Sequence, residues 1–200
     1  MLLEVAGVEY EDVRLSFEEF QGRKPSLPFG QLPLYEDEEV GEIPQSAAIA
    51  RHLARKFNFY GKNESEKTLV DVVVDGWLDV HVNTFAKYLF SPEYNSKKGE
   101  IKEALKNWLG MMQKLLQKNN GGNGYFVGDS LTLADFYAFN FLNNYVKAAA
   151  SDVLDTLPVL KNYLSRLLAH PKLDAYIKSG RRPAITMPPG KAFALTTPVS

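Results

Sequence analysis

The residues best suited to chemistry lie between positions 28 and 57, in two short groups that together could hold a small anionic peptide. Pro33 restricts Leu32 to extended backbone, so Leu32 can offer its own N–H and C=O to an extended ligand. Gln45 and Ser46 stand before an apolar pattern with a helical period, so they mark the start of a helix. The unpaired N–H groups and positive dipole of such a start favour a carboxylate. Taken singly, Ser46 is better explained as a helix cap and Pro33 as an edge-strand proline.

A second candidate group is acidic. Asp71, Asp75 and Asp79 recur every four residues and therefore share one helix face, at a cost of roughly 0.2–0.5 kcal/mol per like-charged pair. We expect a compensating group nearby, and the alternative is a solvated acidic stripe. The histidines at positions 52, 81 and 170 share no ligand spacing, and His81 lies in an apolar stripe. A packed histidine is therefore favoured over a catalytic one.

The overall composition limits the possible classes of function. With 23 basic and 24 acidic residues among 200, the formal net charge is −1, so bulk electrostatics predict neither a nucleic acid nor a membrane surface as partner. The chain has no cysteine, which excludes disulfides, a cysteine nucleophile and thiolate metal ligands. We see no apolar run of membrane-spanning length and no signal peptide, and we expect a cytoplasmic protein.

The N-terminal part of the sequence mixes helix and strand signals. A short helix is expected over residues 1–6, stopped by Gly7. Alternating residues predict strands over 10–15 and 32–36, with a third strand near Ile43 after an acidic turn. The helix that starts at Gln45 and Ser46 follows.

Beyond residue 63 the apolar period is helical throughout. Asn63 with Glu66 and Thr132 with Asp135 have the spacing of helix capping boxes. The apolar stripe of the first long helix recurs every four residues, at Leu69, Val73, Trp77 and His81.

These elements predict an α+β chain with two domains and a tail. The first domain, over residues 1–58, contains both strands and helices, and the second, over 64–180, is an all-helical bundle. Repeated prolines predict an irregular tail over 181–200.

In this order the motifs resemble sigma-class glutathione transferases over nearly the whole length, to about Pro183. The segments that carry the resemblance are 3–12 (LEVAGVEYED), 28–33 (PFGQLP), Gln45-Ser46, 54–57 (ARKF) and 128–135 (GDSLTLAD). The resemblance implies a thioredoxin-like N-terminal domain, an all-helical C-terminal domain and a homodimer. It also implies glutathione, an anionic tripeptide, as co-substrate, and no cofactor.

The resemblance assigns a part of glutathione to each binding residue. Leu32, beside a cis Pro33, would pair its backbone with the cysteinyl part. Gln45 and Ser46 would hold the γ-glutamyl carboxylate. At the other end of the peptide the resemblance places Gln31 and Lys24, with Lys24 supplying charge for the glycyl carboxylate, although a solvated lysine is the simpler explanation from the residues alone.

Two further positions come from the same resemblance. Phe20 stands where relatives commonly carry tryptophan; it keeps the apolar wall but lacks the indole donor, so weaker glutathione binding is expected. Asp79 would reach the amino group of glutathione bound in the partner subunit, with Asp75 close by. Some relatives hold magnesium among such acids, but Leu78 replaces one carboxylate, so no metal site is predicted.

The family's chemistry depends on a tyrosine at the end of the first strand, whose hydroxyl stabilises the glutathione thiolate. The resemblance aligns Met1 within the first helix, so that strand and its tyrosine are expected before this sequence, and no catalytic residue is assigned within it. Tyr10 belongs to the next strand of the match and is not a substitute. Without that first strand, the backbone groups of residues 10–15 and 32–36 are expected to lack partners.

Three functions remain open. The first is a transferase that conjugates the glutathione thiolate to hydrophobic electrophiles, or isomerises a prostaglandin-like endoperoxide. The second is a glutathione-binding or structural homologue without catalysis, like the lens crystallins of this lineage. The third is a helical interaction module in a larger assembly. The resemblance favours the first function, and whether this chain itself is an enzyme stays open.

Overall fold

The computed structural model describes residues 1–86 and 96–182. Most of the tail predicted at 181–200 lies outside the described residues. In the N-terminal part, a short 3₁₀ turn follows the second helix. The elements in chain order are α1 (Leu2–Ala6), α2 (Phe17–Arg23), β1 (Leu34–Asp37), β2 (Gly41–Pro44) and α3 (Ser46–Lys56). Helix α1 ends at Gly7, as predicted.

The remaining described elements are helical, as the apolar period predicted. They are α4 (Glu64–Val80), α5 (Lys98–Gln117), α6 (Leu133–Asn140), α7 (Lys147–Ala150), α8 (Pro158–Leu168) and α9 (Pro171–Lys178). A π-helical segment extends α4 over His81–Ala86, and another joins α6 to α7 over Phe141–Val146.

Strands β1 and β2 form an antiparallel hairpin in which Leu34 lies opposite Pro44 and Asp37 lies opposite Gly41. The predicted strand at 32–36 therefore begins two residues later than expected, after Pro33, which has no N–H to pair. The strand predicted near Ile43 is confirmed.

The carboxylate of Asp37 holds the hairpin turn together. Its side chain is 1 % exposed and accepts a hydrogen bond from Lys56 Nζ at 2.7 Å. His52 Nε2 lies 3.1 Å from the same oxygen, and the backbone N–H groups of Glu39 and Val40 donate to the other oxygen at 3.0 and 3.3 Å. These contacts, of which the one from Lys56 has the largest effect, hold the pKa of the Asp37 carboxyl well below its ordinary value. One buried carboxylate thus joins the hairpin to α3.

The strand predicted over residues 10–15 is wrong. This segment has no regular secondary structure, and within the described ranges none of its backbone groups pairs with another backbone group. Tyr10 and Leu34 of β1 both line a cavity of about 310 Å³, so open volume lies between the segment and the hairpin. The alternating pattern fits a strand, but a strand also needs a neighbour to pair with.

The helical part is built around Trp77, which is fully buried. Its ring stacks on Phe141 with 5.6 Å between centroids and meets Phe126 edge-on at 6.0 Å. The stripe predicted on α4 is wrong at Leu69, which is 46 % exposed, while Val70 is buried. A four-residue repeat turns by about 40° per step around a helix, so Leu69 has rotated away from the face that holds Trp77.

Both predicted capping pairs form hydrogen bonds at the helix starts. Asn63 Oδ1 accepts the N–H of Glu66 at 3.0 Å at the start of α4. At the start of α6, the N–H of Thr132 donates to Asp135 Oδ2 at 2.8 Å. Local hydrogen bonds therefore fix where both helices begin.

Candidate functional site

The hairpin brings the two groups of candidate residues together. Leu34 lies opposite Pro44 at the end of the hairpin, so Pro33 and Gln45 directly adjoin the same end of the two paired strands. Pro33 and Ser46 both line the 310 Å³ cavity. The structure thus places the residue that follows Leu32 and the start of a helix around one cavity.

Leu32 has the free backbone that a peptide ligand requires. The Leu32–Pro33 peptide bond is cis, as the resemblance implied. In the part of the chain that the structure describes, neither the N–H nor the C=O of Leu32 has a hydrogen-bond partner. Its side chain is also exposed. An extended peptide could therefore form a short antiparallel pair with this residue.

The N-terminus of α3 is likewise unpaired. Gln45 occupies the capping position with a positive φ of 72°, and its side chain makes no capping hydrogen bond. Among the described residues, the backbone N–H groups of Ser46, Ala47 and Ala48 have no acceptor. The alternative in which Ser46 serves as the cap is wrong, because Ser46 is already the first helical residue. Unpaired donors and the positive end of the helix dipole together suit a carboxylate.

Lys24, Gln31 and Phe20 lie in the segment that leads to Leu32. The backbone N–H of Lys24 donates to the carbonyl of Phe20, one turn earlier, and Phe20 is half-buried. The stem of Lys24 passes over Gly30, where an added Cβ would lie 3.7 Å from Lys24 Cγ and Cε. The Lys24 side chain therefore lies beside the residue that precedes Gln31.

Asp79 stands apart from these residues. It is exposed on α4, does not line the cavity, and its carboxylate has no partner within residues 1–86 and 96–182. One copy of the chain therefore does not bring Asp79 to Ser46.

Tyr10 lines the same cavity, but its hydroxyl is already engaged. It donates to Glu4 Oε1 at 2.8 Å, and Glu4 also pairs with Arg181 at 2.6 Å. Burial, which has the largest effect, and the hydrogen bond to Glu4 raise the pKa of Tyr10 to about 12. Tyr10 is therefore not placed to donate to a ligand sulfur, as expected.

Comparison with known proteins identifies the family. Residues 1–55 match the family model described as "Glutathione S-transferase, N-terminal domain", and residues 78–180 match "Glutathione S-transferase, C-terminal domain". The chain belongs to the glutathione S-transferase family. The glutathione-transferase fold expected from the sequence, a small sheet domain followed by a helical domain, is confirmed.

Three relatives show how broadly this glutathione S-transferase chain resembles the family. It is 36 % identical over 182 residues to S-crystallin SL11 of Nototodarus sloanii, covering 89 % of this chain and 87 % of the relative. It is 34 % identical over 190 residues to glutathione S-transferase P of Caenorhabditis elegans, with coverages of 94 % and 88 %. The structure of monomeric Na-GST-3, a glutathione S-transferase of the hookworm Necator americanus, superposes with a TM-score of 0.81 at 32 % identity, covering 90 % and 89 % of the two chains.

Arg51, on α3 of this glutathione S-transferase family member, is the residue that sequence reasoning missed. Its Nε donates to Asp71 Oδ1 at 2.7 Å, and its Nη2 donates to Asp75. Tyr60 donates to the same Asp71 oxygen at 2.6 Å. Burial opposes ionisation of Asp71, but the bonds from Tyr60 and Arg51 outweigh it and lower the pKa of this carboxyl. The compensating group expected for the acidic row is therefore Arg51, and the four-residue spacing was the signal that one was needed.

The described part of this transferase-family chain shows neither a metal-binding cluster nor a membrane-spanning helix. In residues 1–86 and 96–182, the histidines and acidic residues form no cluster of three suited to a metal ion. Within the same ranges no helix combines the length and the apolar character needed to cross a membrane. His81 instead packs against the rings of Phe141 and Tyr145, at 5.6 and 5.4 Å, which confirms the packed histidine.

Proposed function

We propose that this chain binds glutathione between Leu32 and the N-terminus of α3. The observation that carries the proposal is the unpaired backbone of Leu32, whose neighbour Pro33 lines one cavity with Ser46 at the uncapped start of a helix. The cysteinyl part of glutathione pairs with Leu32, and Gln45 and Ser46 hold the γ-glutamyl carboxylate.

The rest of the proposed site holds the other end of the tripeptide. Lys24 and Gln31 face the glycyl carboxylate, and Phe20 forms an apolar wall without an indole donor. The stem of Lys24 over Gly30 supports this assignment, because it places the Lys24 side chain beside the residue that precedes Gln31.

The proposed reaction is attack of the glutathione sulfur on a hydrophobic electrophile. A C–S bond forms, the leaving group departs with its electron pair, and the thiol proton goes to solvent. We assign no residue of the chain to sulfur activation, so the contribution of these residues is to position the thiol. The order of the sequence motifs supports the sigma class, for which isomerisation of a prostaglandin-like endoperoxide is a further reaction. The proposed compartment is the cytoplasm, where reduced glutathione is abundant.

A homodimer is the second part of the proposal. Leu69, Val72, Gly76 and Asp79 share one face of α4 by their spacing of three and four residues. Leu69 and Val72 are 46 % and 49 % exposed, and Met111 on α5 is 51 % exposed. A second copy that covers this face would bring its glutathione site toward Asp79, whose carboxylate would pair with the ligand amino group. Because the structure of one relative is described as monomeric, light scattering is needed to test whether this chain forms a dimer.

The alternative function is that of a glutathione-binding or structural protein without catalysis. Its support is the 36 % identity to S-crystallin SL11 over most of both chains. Binding of glutathione without turnover of an electrophile would favour this function over the first.

Titration calorimetry with reduced glutathione, followed by conjugation of an aryl halide, tests both functions. We expect binding by the unmodified chain and at least tenfold weaker binding by Ser46→Ala, because a hydrogen bond to a charged group contributes about 1.5–3 kcal/mol. Ser165→Ala, an exposed hydroxyl on α8 bonded to the Lys161 carbonyl, is the matched control and should bind like the unmodified chain. No heat of binding at millimolar glutathione would contradict the proposal.

A further inference from the structure

Helix α3 is held unevenly along its length. Its buried side chains, Leu53 and Ala54, lie in its second half, although Leu53 also borders the 310 Å³ cavity. In the first half Ser46 is exposed, and Ile49 and Ala50, which border the same cavity, are only half-buried. Side-chain packing therefore fixes the C-terminal half of α3 better than the half at which the ligand carboxylate is proposed to bind.

Arg51 lies between these two halves and is joined to another helix. Its side chain is 22 % exposed, and its guanidinium contacts Asp71 and Asp75, which are one turn apart on α4. A guanidinium is planar and presents several donors in a fixed fork, so it can grip two carboxylates and define its own orientation. Tyr60, which is buried and lies between α3 and α4 in the chain, adds a second donor to Asp71. Arg51 is thus the anchor nearest to the unpacked end of α3.

We propose that Arg51 is a positioning residue for the glutathione site: by joining α3 to Asp71 and Asp75 of α4, it fixes the helix N-terminus that holds the ligand carboxylate. The inference rests on the proposed function for its ligand, but the restraint on α3 exists without any ligand. Arg51 makes no contact with the peptide. Its effect on binding passes through the placement of Ser46 and the neighbouring backbone N–H groups.

The chain offers a matched control on the same helix. Arg55 lies one turn after Arg51, and its guanidinium sits over the Tyr60 ring at 5.4 Å. Among the described residues it forms no ion pair, so Arg55→Gln removes the same charge without releasing a carboxylate contact.

The first measurement is amide hydrogen exchange on the full chain without ligand. In Arg51→Gln we expect the amides of residues 49–52 to exchange roughly tenfold faster than in the unmodified chain, while those of α8 are unchanged. Arg55→Gln should leave both regions unchanged. Equal exchange of residues 49–52 in the unmodified and Arg51→Gln chains would overturn the inference, whether or not glutathione binds.

The second measurement is the glutathione dissociation constant by calorimetry, in a double-mutant cycle with Ser46→Ala. We expect Arg51→Gln to weaken binding by roughly tenfold, Arg51→Lys to restore most of it, and Ser46→Ala to lose much of its effect in the Arg51→Gln background. A Ser46→Ala effect that is the same in both backgrounds would contradict a positioning role. If Arg51→Gln does not fold, the cycle is run with Arg51→Lys. We then expect a smaller but non-zero coupling between Arg51→Lys and Ser46→Ala. Independent effects of these two substitutions on binding would overturn the inference. Absence of binding by the unmodified chain counts against the proposed function alone, since the exchange measurement still decides the role of Arg51.

Discussion

Tyr163 donates its hydroxyl hydrogen to Asp135 Oδ1 at 2.6 Å, across two helices and with both residues fully buried. The same carboxylate also accepts the N–H of Phe126 at 2.9 Å and both the N–H and the hydroxyl of Thr132, at 2.8 and 2.9 Å. A buried carboxylate is stable only when it is satisfied in this way. This group therefore joins α8, the loop before α6 and the start of α6 at one point.

Removing either member of this pair should destabilise the fold to different extents. Tyr163→Phe takes away one of four donors and should cost about 1–2 kcal/mol, whereas Asp135→Ala leaves buried N–H and O–H groups without an acceptor and should cost about 3–5 kcal/mol. Urea denaturation measures both. Ser165→Ala on α8, whose hydroxyl is exposed, should stay within about 0.5 kcal/mol. Equal costs for Tyr163→Phe and Ser165→Ala would show that the buried bond contributes nothing.

Two glycines should respond to alanine in opposite directions. Gly122 has a φ of +85°, and an added Cβ would lie 2.5 Å from Val159 Cγ1, so Gly122→Ala should cost about 2–4 kcal/mol from backbone strain and overpacking. Gly110 lies inside α5, and an added Cβ there meets nothing within 4 Å. Gly110→Ala should therefore stabilise the protein by about 0.5–1 kcal/mol through helix propensity. Thermal unfolding of the two variants gives the comparison, and a shift in the same direction for both would contradict it.

The Asp37 carboxylate should make the stability of the hairpin depend on acid. The pKa of the Asp37 carboxyl is lowered in the folded chain, chiefly by Lys56. The stability that the ionised carboxylate contributes is therefore complete above the ordinary carboxyl pKa near 3.8 and is lost as the pH falls below that value. Asp37→Asn cannot be protonated and should unfold with a shallower dependence on pH below 4. Urea midpoints of both chains from pH 7 to pH 2.5 test this. Parallel curves over that range would be inconsistent with a depressed pKa at Asp37.

Asp79 should matter for binding and not for stability. Its carboxylate is exposed and has no partner in the described part of the chain, so Asp79→Asn should leave the free energy of unfolding within about 0.5 kcal/mol. If the Asp79 carboxylate pairs with glutathione bound in a second copy of the chain, Asp79→Asn should weaken glutathione binding by about threefold to tenfold. Asp71→Asn is the contrasting variant, because it removes an acceptor used by Arg51 and Tyr60 and should reduce stability. Calorimetry and urea denaturation on each variant separate the two effects.

The features that sequence reasoning predicted correctly depend on neighbours along the chain. The starts of α4 and α6 were predictable because Asn63 and Thr132 bond within three residues of themselves. The nearness of Pro33 and Ser46, which line one cavity, was predictable for a similar reason, since a hairpin brings together residues on either side of its own turn. Local hydrogen bonds and register are visible in the spacing of residues.

The features that were missed depend on partners far along the chain. The alternation over residues 10–15 is real, but whether it forms a strand is decided by what lies beside it. The acidic row on α4 showed that a cation was required, yet nothing local indicated that the cation is Arg51, twenty residues before Asp71. Leu69 fits the apolar repeat, and only the accumulated rotation of the helix explains its exposure.

The cavity bounded by Tyr10, Leu34 and Ile49 also bears on the heat capacity of the molecule. It is open to solvent, so the apolar side chains of Leu34 and Ile49 that line it can meet water there, while the helical part is packed around Trp77. Removing apolar surface from water lowers the heat capacity. Any ligand or chain segment that fills this cavity should therefore bind with a negative change in heat capacity.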